Sequence, residues 1–391
     1  MDFPQSDRLN KLPPYLFADL RRKMAAARDK GIEVIRVDIG DPDRPAPEPV
    51  VQELRRAVGD EADPDRHRYG CDRPVAKLPE AAREFYRRRF GVEIDEGGLV
   101  TTNGSKDAIV KMCLGLMSPG DVGIAPQPGY PTYNIGHVFS GGSTYYAPLR
   151  PENDFLVDLD AIPDEVRRNA KILWLNYPNN PTTATATMAF FERAVEFGRQ
   201  NGILVAHDAA YITNTYDGYE APSILQVDGA EEVAVELFSL SKAFNMTGWR
   251  VGFVAGNPSA VGALNTVKEN VDNGALRAIQ FAAATALEQA DTLLPQVNEV
   301  YRPRRDLVVQ GLNAAGWQIE RPEATIYVWV PVPERFNGDS GAFVAELLDK
   351  TGVMVTPGRG YGEAAEGYFR ISLTYPEDVL SKAVERIASM A

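Results

Sequence analysis

Short apolar runs alternate with helical segments along most of the chain, and this alternation restricts the fold more than any other feature. The apolar runs include residues 99–102, 121–125, 171–176, 203–207, 233–238 and 250–254, and helical patterns such as 188–200 separate several of them. Strands that alternate with helices tend to pair in parallel and to be covered by helices. The sequence therefore predicts an α/β fold with a central, largely parallel sheet.

Two longer helical patterns lie outside this alternation. Leu16, Leu20 and Met24 recur on one face, which predicts an amphipathic helix over 12–31 that Gly31 ends. A second helical pattern runs from Pro258 past residue 287. Towards the C-terminus, residues 324–330, 353–356 and 368–373 have the composition of strands.

Composition excludes several functional classes. The 391 residues carry a formal net charge of -13, which argues against a nucleic-acid or anionic-membrane partner. Cys71 and Cys113 are the only cysteines and provide no disulfide framework, which favours a reducing compartment. The sequence has no signal-peptide pattern and no apolar run long enough for a bilayer, so we expect a cytoplasmic protein. The three histidines lack metal-ligand spacing, so we expect no metal site.

A lysine, two hydroxyls and an arginine follow the apolar run 233–238. Lys242 stands just beyond the end of this run, where burial lowers the pKa of an amine and makes it nucleophilic. Ser239, Ser241 and Arg250 together could clamp a phosphate. A nucleophilic lysine beside a phosphate clamp is typical of Schiff-base formation with a phosphorylated aldehyde, which predicts pyridoxal 5'-phosphate as cofactor.

A second possible anion site opens the helix that follows residues 99–102. Gly104 and Ser105 stand at its start, where free amide groups and the helix dipole attract anions. Ser105 could equally cap the helix. Lys106 beside it, together with the clamp at Arg250, favours phosphate binding, although the spacing is not that of a Walker loop.

Three further residues suit a flat, nitrogen-containing ring. Asp208 ends the run 203–207, where an open α/β sheet binds its ligands, and its carboxylate could pair with a pyridinium nitrogen or simply cap a helix. Tyr130 lies on a turn fixed by prolines and could stack on the ring or pack in the core. The Asn180 amide could donate to a phenolate oxygen.

These segments resemble those of fold type I pyridoxal-phosphate aminotransferases of class I/II, and the resemblance covers nearly the whole chain. It is strongest to LL-diaminopimelate aminotransferases, through LPPYLF at 12–17, IGDPD at 39–43, YPNNPT at 177–182 and NMTGWR at 245–250. The resemblance implies a mostly parallel seven-stranded sheet in a large domain, a smaller α/β domain, and a homodimer with shared active sites. We expect an N-terminal arm and part of the small domain over 1–45, the large domain over 46–285, and the small domain over 286–391.

The resemblance also implies roles for individual residues. The candidate catalytic residues are Lys242, which would bind the cofactor, Asp208, which would keep its ring nitrogen protonated, and Tyr211, which would contact its 3'-oxygen. Arg370, which needs a counter-charge if buried, would clamp the substrate α-carboxylate. Residues implied to bind the cofactor are Tyr69 of the partner subunit, Ser105, Lys106, Tyr130, Asn180, Asp208, Tyr211, Ser239, Ser241, Lys242 and Arg250. Residues implied to bind substrate are Tyr15, Gly40, Lys106, Asn180, Arg277 and Arg370.

The expected reaction is transfer of an amino group from LL-diaminopimelate to 2-oxoglutarate. Arg277 leaves aspartate or another common amino acid as an alternative donor, because an arginine there could clamp a second carboxylate. A carbon–sulfur lyase or a decarboxylase could use the same cofactor cradle. Tyr15 and Tyr69 could instead be packing residues.

Two motifs mimic other families. Ser239-x-x-Lys242 with residues 350–352 is similar to acyl-enzyme motifs, but the middle motif is missing. Residues 358–362 lack the spacing of a dinucleotide site. A non-catalytic homologue would usually lack the lysine at 242, which this chain retains.

Overall fold

The computed structural model describes residues 1–12, 16–69 and 75–390, and the central element within these ranges is a seven-stranded sheet. The described ranges contain twelve strands, of which seven form this sheet. All twelve are β1 Ile35–Arg36, β2 Leu99–Thr102, β3 Val122–Gln127, β4 Ser143–Pro148, β5 Ala170–Leu175, β6 Leu204–Asp208, β7 Ala234–Ser239, β8 Gly252–Gly256, β9 Tyr327–Pro331, β10 Val353–Met354, β11 Thr356–Pro357 and β12 Tyr368–Ser372. The central sheet has the order β2-β8-β7-β6-β5-β3-β4. Only β8 runs antiparallel to its neighbours, which confirms the mostly parallel sheet.

Helices pack on this sheet and around a second, smaller core. They are α1 Asp7–Asn10, α2 Leu16–Asp29, α3 Glu48–Gly59, α4 Lys77–Phe90, α5 Ser105–Leu116, α6 Thr132–Ser140, α7 Asp164–Asn169, α8 Met188–Asn201, α9 Ala230–Val233, α10 Leu240–Ala243, α11 Pro258–Val271, α12 Arg277–Glu288, α13 Ala290–Ala314, α14 Ser340–Thr351 and α15 Glu377–Ala388. Most buried side chains of the central strands are apolar, as in a sheet covered on both faces.

The smaller unit has its own sheets and its own apolar core. Strands β11, β12 and β9 form an antiparallel sheet, and β1 pairs in parallel with β10. Buried side chains of α2, α13, α14 and α15 pack against these strands in one cluster. This confirms a second α/β unit beside the large sheet, while the residue boundaries given above for the domains stay a prediction.

Three sequence predictions of secondary structure were wrong in detail. The helical pattern that starts at Pro258 is broken, because the Asp272 carboxylate accepts a hydrogen bond from Gly274 N (2.7 Å) and Gly274 has φ +82°. The strand expected over 250–254 begins only at Gly252, because Arg250 is left-handed with φ 55°. Strand β4 and helix α6 were not predicted at all.

Two classes of feature are absent from the described ranges. None of their helices is both long and apolar enough to span a bilayer. These ranges also contain no cluster of three or more His, Cys, Asp or Glu residues arranged to hold a metal ion.

A buried ion pair fixes the loop between β1 and α3. Arg304 on α13 donates from both terminal nitrogens to the Asp43 carboxylate at 2.7 and 2.9 Å, and also to the Leu373 carbonyl at 3.0 Å. The Arg304 side chain is 1% exposed and that of Asp43 is 20% exposed. Bidentate arginine–carboxylate pairs are strong and geometrically specific. The loop is therefore held firmly against the smaller unit.

Replacing Asp43 with Ala is expected to destabilise the protein by about 3 kcal/mol, because it leaves the Arg304 charge buried without its partner. Urea denaturation measures this loss. The matched control is Asp349→Ala, whose partner Lys30 is 65% exposed and which is itself 60% exposed. That change should cost at most about 0.5 kcal/mol. Equal losses in the two variants would contradict a structural role for the buried pair.

Candidate active site

A cavity of about 810 Å³ lies at the carboxyl ends of the parallel strands, between the central sheet and the smaller unit. Ligands of open α/β sheets bind at this edge. The structure brings most of the predicted site residues together here. The cavity is lined by Gly40, Ser105, Lys106, Tyr130, Asn180, Asp208, Tyr211, Ser239, Ser241, Lys242, Arg250 and Arg370.

Lys242 reaches the cavity from α10, directly after β7. Its Nζ donates a hydrogen bond to the Gly40 carbonyl, and burial lowers the pKa of the amine. No side chain fits at position 40, because a Cβ there would overlap the Tyr327 hydroxyl. Ser239 Oγ accepts from Ser241 N at 3.3 Å and so begins α10. A lowered pKa increases the unprotonated, nucleophilic fraction of the amine.

A positively polarised cradle surrounds the start of α5. Arg250 donates to the carbonyls of Thr247 (3.0 Å) and Asn103 (3.2 Å), which holds its guanidinium over the helix end. Gly104 has φ +86°, a conformation that favours glycine, and a Cβ there would also lie 2.8 Å from an Arg250 terminal nitrogen. The buried Ser105 hydroxyl has no hydrogen-bond partner among the described residues. Guanidinium, helix amides and a free hydroxyl suit a phosphate group.

Asp208 lies at the end of β6 and is 4% exposed. Its Oδ2 accepts a hydrogen bond from the Tyr133 hydroxyl at 3.0 Å, whereas Oδ1 has no partner in the described parts of the chain. Burial raises the pKa of this carboxyl to about 6. A buried carboxylate oxygen without a partner is costly, and an N–H donor in the cavity would satisfy it. The site therefore fits a protonated pyridine nitrogen.

Arg370 forms the opposite wall and is 3% exposed. It donates to Asn180 Oδ1 and to the Asp38 carbonyl, both at 2.7 Å, and its guanidinium lies 3.9 Å from the centre of the Tyr327 ring. The Tyr327 and Tyr211 hydroxyls are 2.9 Å apart. Because Asn180 Oδ1 accepts from Arg370, its amide nitrogen is left as the donor. This geometry suits a carboxylate at Arg370.

The sequence interpretation missed several residues of this site. Tyr133 holds Asp208, and Tyr327 contacts both Tyr211 and Arg370. Residues 359–362, part of the segment whose spacing does not match a dinucleotide site, line the cavity. The close glycines of that segment were a signal of tight backbone approach. Nothing in the local sequence marked Tyr327.

Two predicted residues within the described ranges, Tyr69 and Arg277, do not line the cavity in this chain. Tyr69 is 72% exposed, and Arg277 forms an ion pair with Asp63 at 3.3 Å. Tyr15 lies outside the described residues. Because the resemblance assigned Tyr15, Tyr69 and the Arg277 segment to contacts across a dimer, their roles stay predictions.

Comparisons with known proteins agree with this geometry. The profile of the family described as aminotransferase class I and II matches residues 32–387. The LL-diaminopimelate aminotransferase of Gloeobacter violaceus is 48% identical over 386 residues, which cover 97% of this chain and 96% of the relative. That of Moorella thermoacetica is 45% identical over 384 residues, covering 98% and 97%. Substrate-bound BacF from Bacillus subtilis superposes with a TM-score of 0.93 at 34% identity, covering 100% and 98%.

The fold and the cavity define a fold type I enzyme that depends on pyridoxal 5'-phosphate. Its central sheet, smaller α/β unit and lysine-containing cavity are those of this class. The chain belongs to the aminotransferase class I and II family.

The raised pKa of Asp208 predicts a pH-dependent stability for the cofactor-free protein. Its folded-state pKa of about 6 exceeds the ordinary value of 3.8, so the ionised carboxylate destabilises the folded state. This penalty is absent below about pH 4 and complete above about pH 6, where it reaches about 3 kcal/mol. Relative to wild type, Asp208→Asn should therefore gain about 3 kcal/mol between pH 4 and pH 7 in denaturant titrations. A difference that does not change with pH would contradict the raised pKa.

Proposed function

We propose that the protein transfers the amino group of LL-diaminopimelate to 2-oxoglutarate. The observation that carries this proposal is the 45–48% identity over nearly the whole chain to the Gloeobacter and Moorella enzymes of that name. Diaminopimelate and 2-oxoglutarate each carry a carboxylate at both ends. A large cavity with several cationic side chains suits molecules that carry a carboxylate at each end.

In this proposal the cofactor is held at four points. The Ser105, Ser239 and Ser241 hydroxyls and the Arg250 guanidinium bind its phosphate. The Asp208 carboxylate holds a proton on the ring nitrogen, and the Asn180 amide and Tyr211 hydroxyl donate to the 3'-oxygen. Tyr130 packs on the ring and fixes its plane. When bound, the cofactor supplies an electron sink for the substrate Cα.

Arg370 and Lys242 are the residues proposed to act on the substrate. Arg370 Nε has no partner among the described residues, and each terminal nitrogen keeps a second hydrogen, so the guanidinium can bind the α-carboxylate. Lys242 Nζ, with its lowered pKa, would take the proton from Cα and return it to the cofactor side. The Gly40 carbonyl, which accepts from Nζ, keeps the amine in position.

We also propose a homodimer in which the two subunits share their sites. Tyr69 is 72% exposed, and Val271, just before the loop 272–276, and Leu276, at the end of that loop, are exposed as well. Such side chains become buried when a second copy packs against them. Tyr15, Tyr69 and the loop before Arg277 would then reach the partner's cavity.

Replacing Lys242 with Ala is expected to abolish the visible absorbance of covalently bound cofactor and to reduce turnover at least about a thousandfold, because both the covalent attachment and the proton carrier are lost. Absorbance spectra and steady-state rates of the purified variant measure this. The control is Lys382→Ala at an exposed position, which should match wild type. Full activity of the Lys242 variant would end the proposal.

A panel of amino donors tests the choice of substrate. Purified enzyme is mixed with LL-diaminopimelate, aspartate, glutamate or alanine, and the loss of cofactor absorbance is followed in a single half-reaction. LL-diaminopimelate is expected to react with the highest kcat/KM, and 2-oxoglutarate should restore the spectrum. Reaction with aspartate and glutamate alone would replace diaminopimelate by those donors. Release of carbon dioxide from one of these donors would point instead to a decarboxylase, and amino transfer from none of them would leave a carbon–sulfur lyase as the alternative.

A further inference from the structure

A chain of hydrogen bonds runs from the core behind the sheet to the cavity wall. It begins at Trp174 Nε1, which lies 3.0 Å from His137 Nε2. An indole N–H can only donate, so His137 Nε2 must accept and cannot carry a proton. The imidazole proton is therefore on Nδ1. Burial lowers the pKa of His137 to about 4, in keeping with a neutral ring.

The tautomer of His137 sets the direction of the next two hydrogen bonds. Its Nδ1–H donates to Thr144 Oγ1 at 2.7 Å, and the Thr144 hydroxyl then donates to Asn134 Oδ1 at 2.8 Å. The amide of Asn134 is thus held in one orientation, with its oxygen engaged. Asn134 lines the cavity, and its Nδ2 has no hydrogen-bond partner within the described ranges.

The packed core keeps this chain in place. Trp174 and His137 are fully buried, and Trp174 stacks on Tyr133 at a ring separation of 5.1 Å. A Cβ at Gly123 would overlap the His137 ring, so glycine on β3 makes room for it. Because neither ring can turn, the direction in which these hydrogen bonds are donated cannot reverse. With Oδ1 engaged by Thr144, the N–H donors of Asn134 remain available at the cavity wall.

We propose that Asn134 determines specificity by donating from Nδ2 to the distal carboxylate of the substrate. A fixed N–H₂ group favours an oxygen acceptor and disfavours an ammonium group. The inference rests on the proposed transamination, because both proposed substrates carry a distal carboxylate beyond the reacting carbon. His137 and Thr144 act on the substrate only through Asn134, as positioning residues.

Asn134→Asp tests the proposal, because it keeps the shape and the bond from Thr144 but places a carboxylate where the donor was. For LL-diaminopimelate, kcat/KM should fall at least about tenfold, whereas the slower half-reaction with L-norleucine, which has no distal carboxylate, should change less than about twofold. Binding of unreactive acids to the holoenzyme gives a readout that needs no turnover. Glutarate should bind at least about tenfold more weakly to the variant, and pentanoate equally well.

Thr144→Val tests the hydrogen-bond chain, since it leaves the Asn134 amide free to rotate. It should weaken glutarate binding about threefold and leave pentanoate binding unchanged. Thr266→Val on α11, where the hydroxyl donates to the Gly262 carbonyl, is the matched control and should alter neither. Wild-type protein that binds glutarate no more tightly than pentanoate would overturn the inference, as would equal losses for both acids in Asn134→Asp. An enzyme that binds glutarate as expected but transaminates no donor would overturn only the proposed function.

Discussion

The hydrogen bond from Lys242 Nζ to the Gly40 carbonyl joins the end of the central sheet to the loop that leaves the smaller unit. Residues 38–43 form this loop, and each end is tied down separately. The Asp38 carbonyl accepts from Arg370, and the Asp43 carboxylate accepts from Arg304. A buried amine needs an acceptor, so the reactive lysine can stay buried only while the two units keep this arrangement. The position of the reactive lysine in the site therefore depends on how the two units pack together.

Electrostatics in the cavity differ from those of the molecule as a whole. The formal net charge is -13, yet the cavity walls include Lys106, Lys242, Arg250 and Arg370. Walls of low polarity focus the field of such groups on the space between them. Net charge therefore argues against large polyanionic partners but not against small anions. For the same reason, net charge alone could not identify a substrate.

The sequence predicted the sheet and the residues at the strand ends, because both depend on local pattern. Alternating apolar runs define parallel strands, and Asp208 and Lys242 follow two of them directly. It could not predict contacts made across the fold: Tyr133 holds Asp208 from 75 residues away, and Tyr211 meets Tyr327 across 116 residues. The break at Asp272 depended on a side-chain hydrogen bond and on the positive φ of Gly274, and helical periodicity reveals neither. Strand β4 is largely solvent-accessible and so lacks the apolar run by which the others were found.

Any side chain at position 40 would overlap Tyr327. The two sides of the cavity therefore differ in how well they tolerate substitution. The side formed by residues 38–43 cannot be enlarged or recharged without moving the lysine or the arginine that it holds. From the side formed by α6, Thr132, Asn134 and Ile135 line the cavity, and none of these three holds the lysine or the arginine. To change which amino donors the enzyme accepts, substitutions should therefore be placed on α6, and residues 38–43 should be left unchanged.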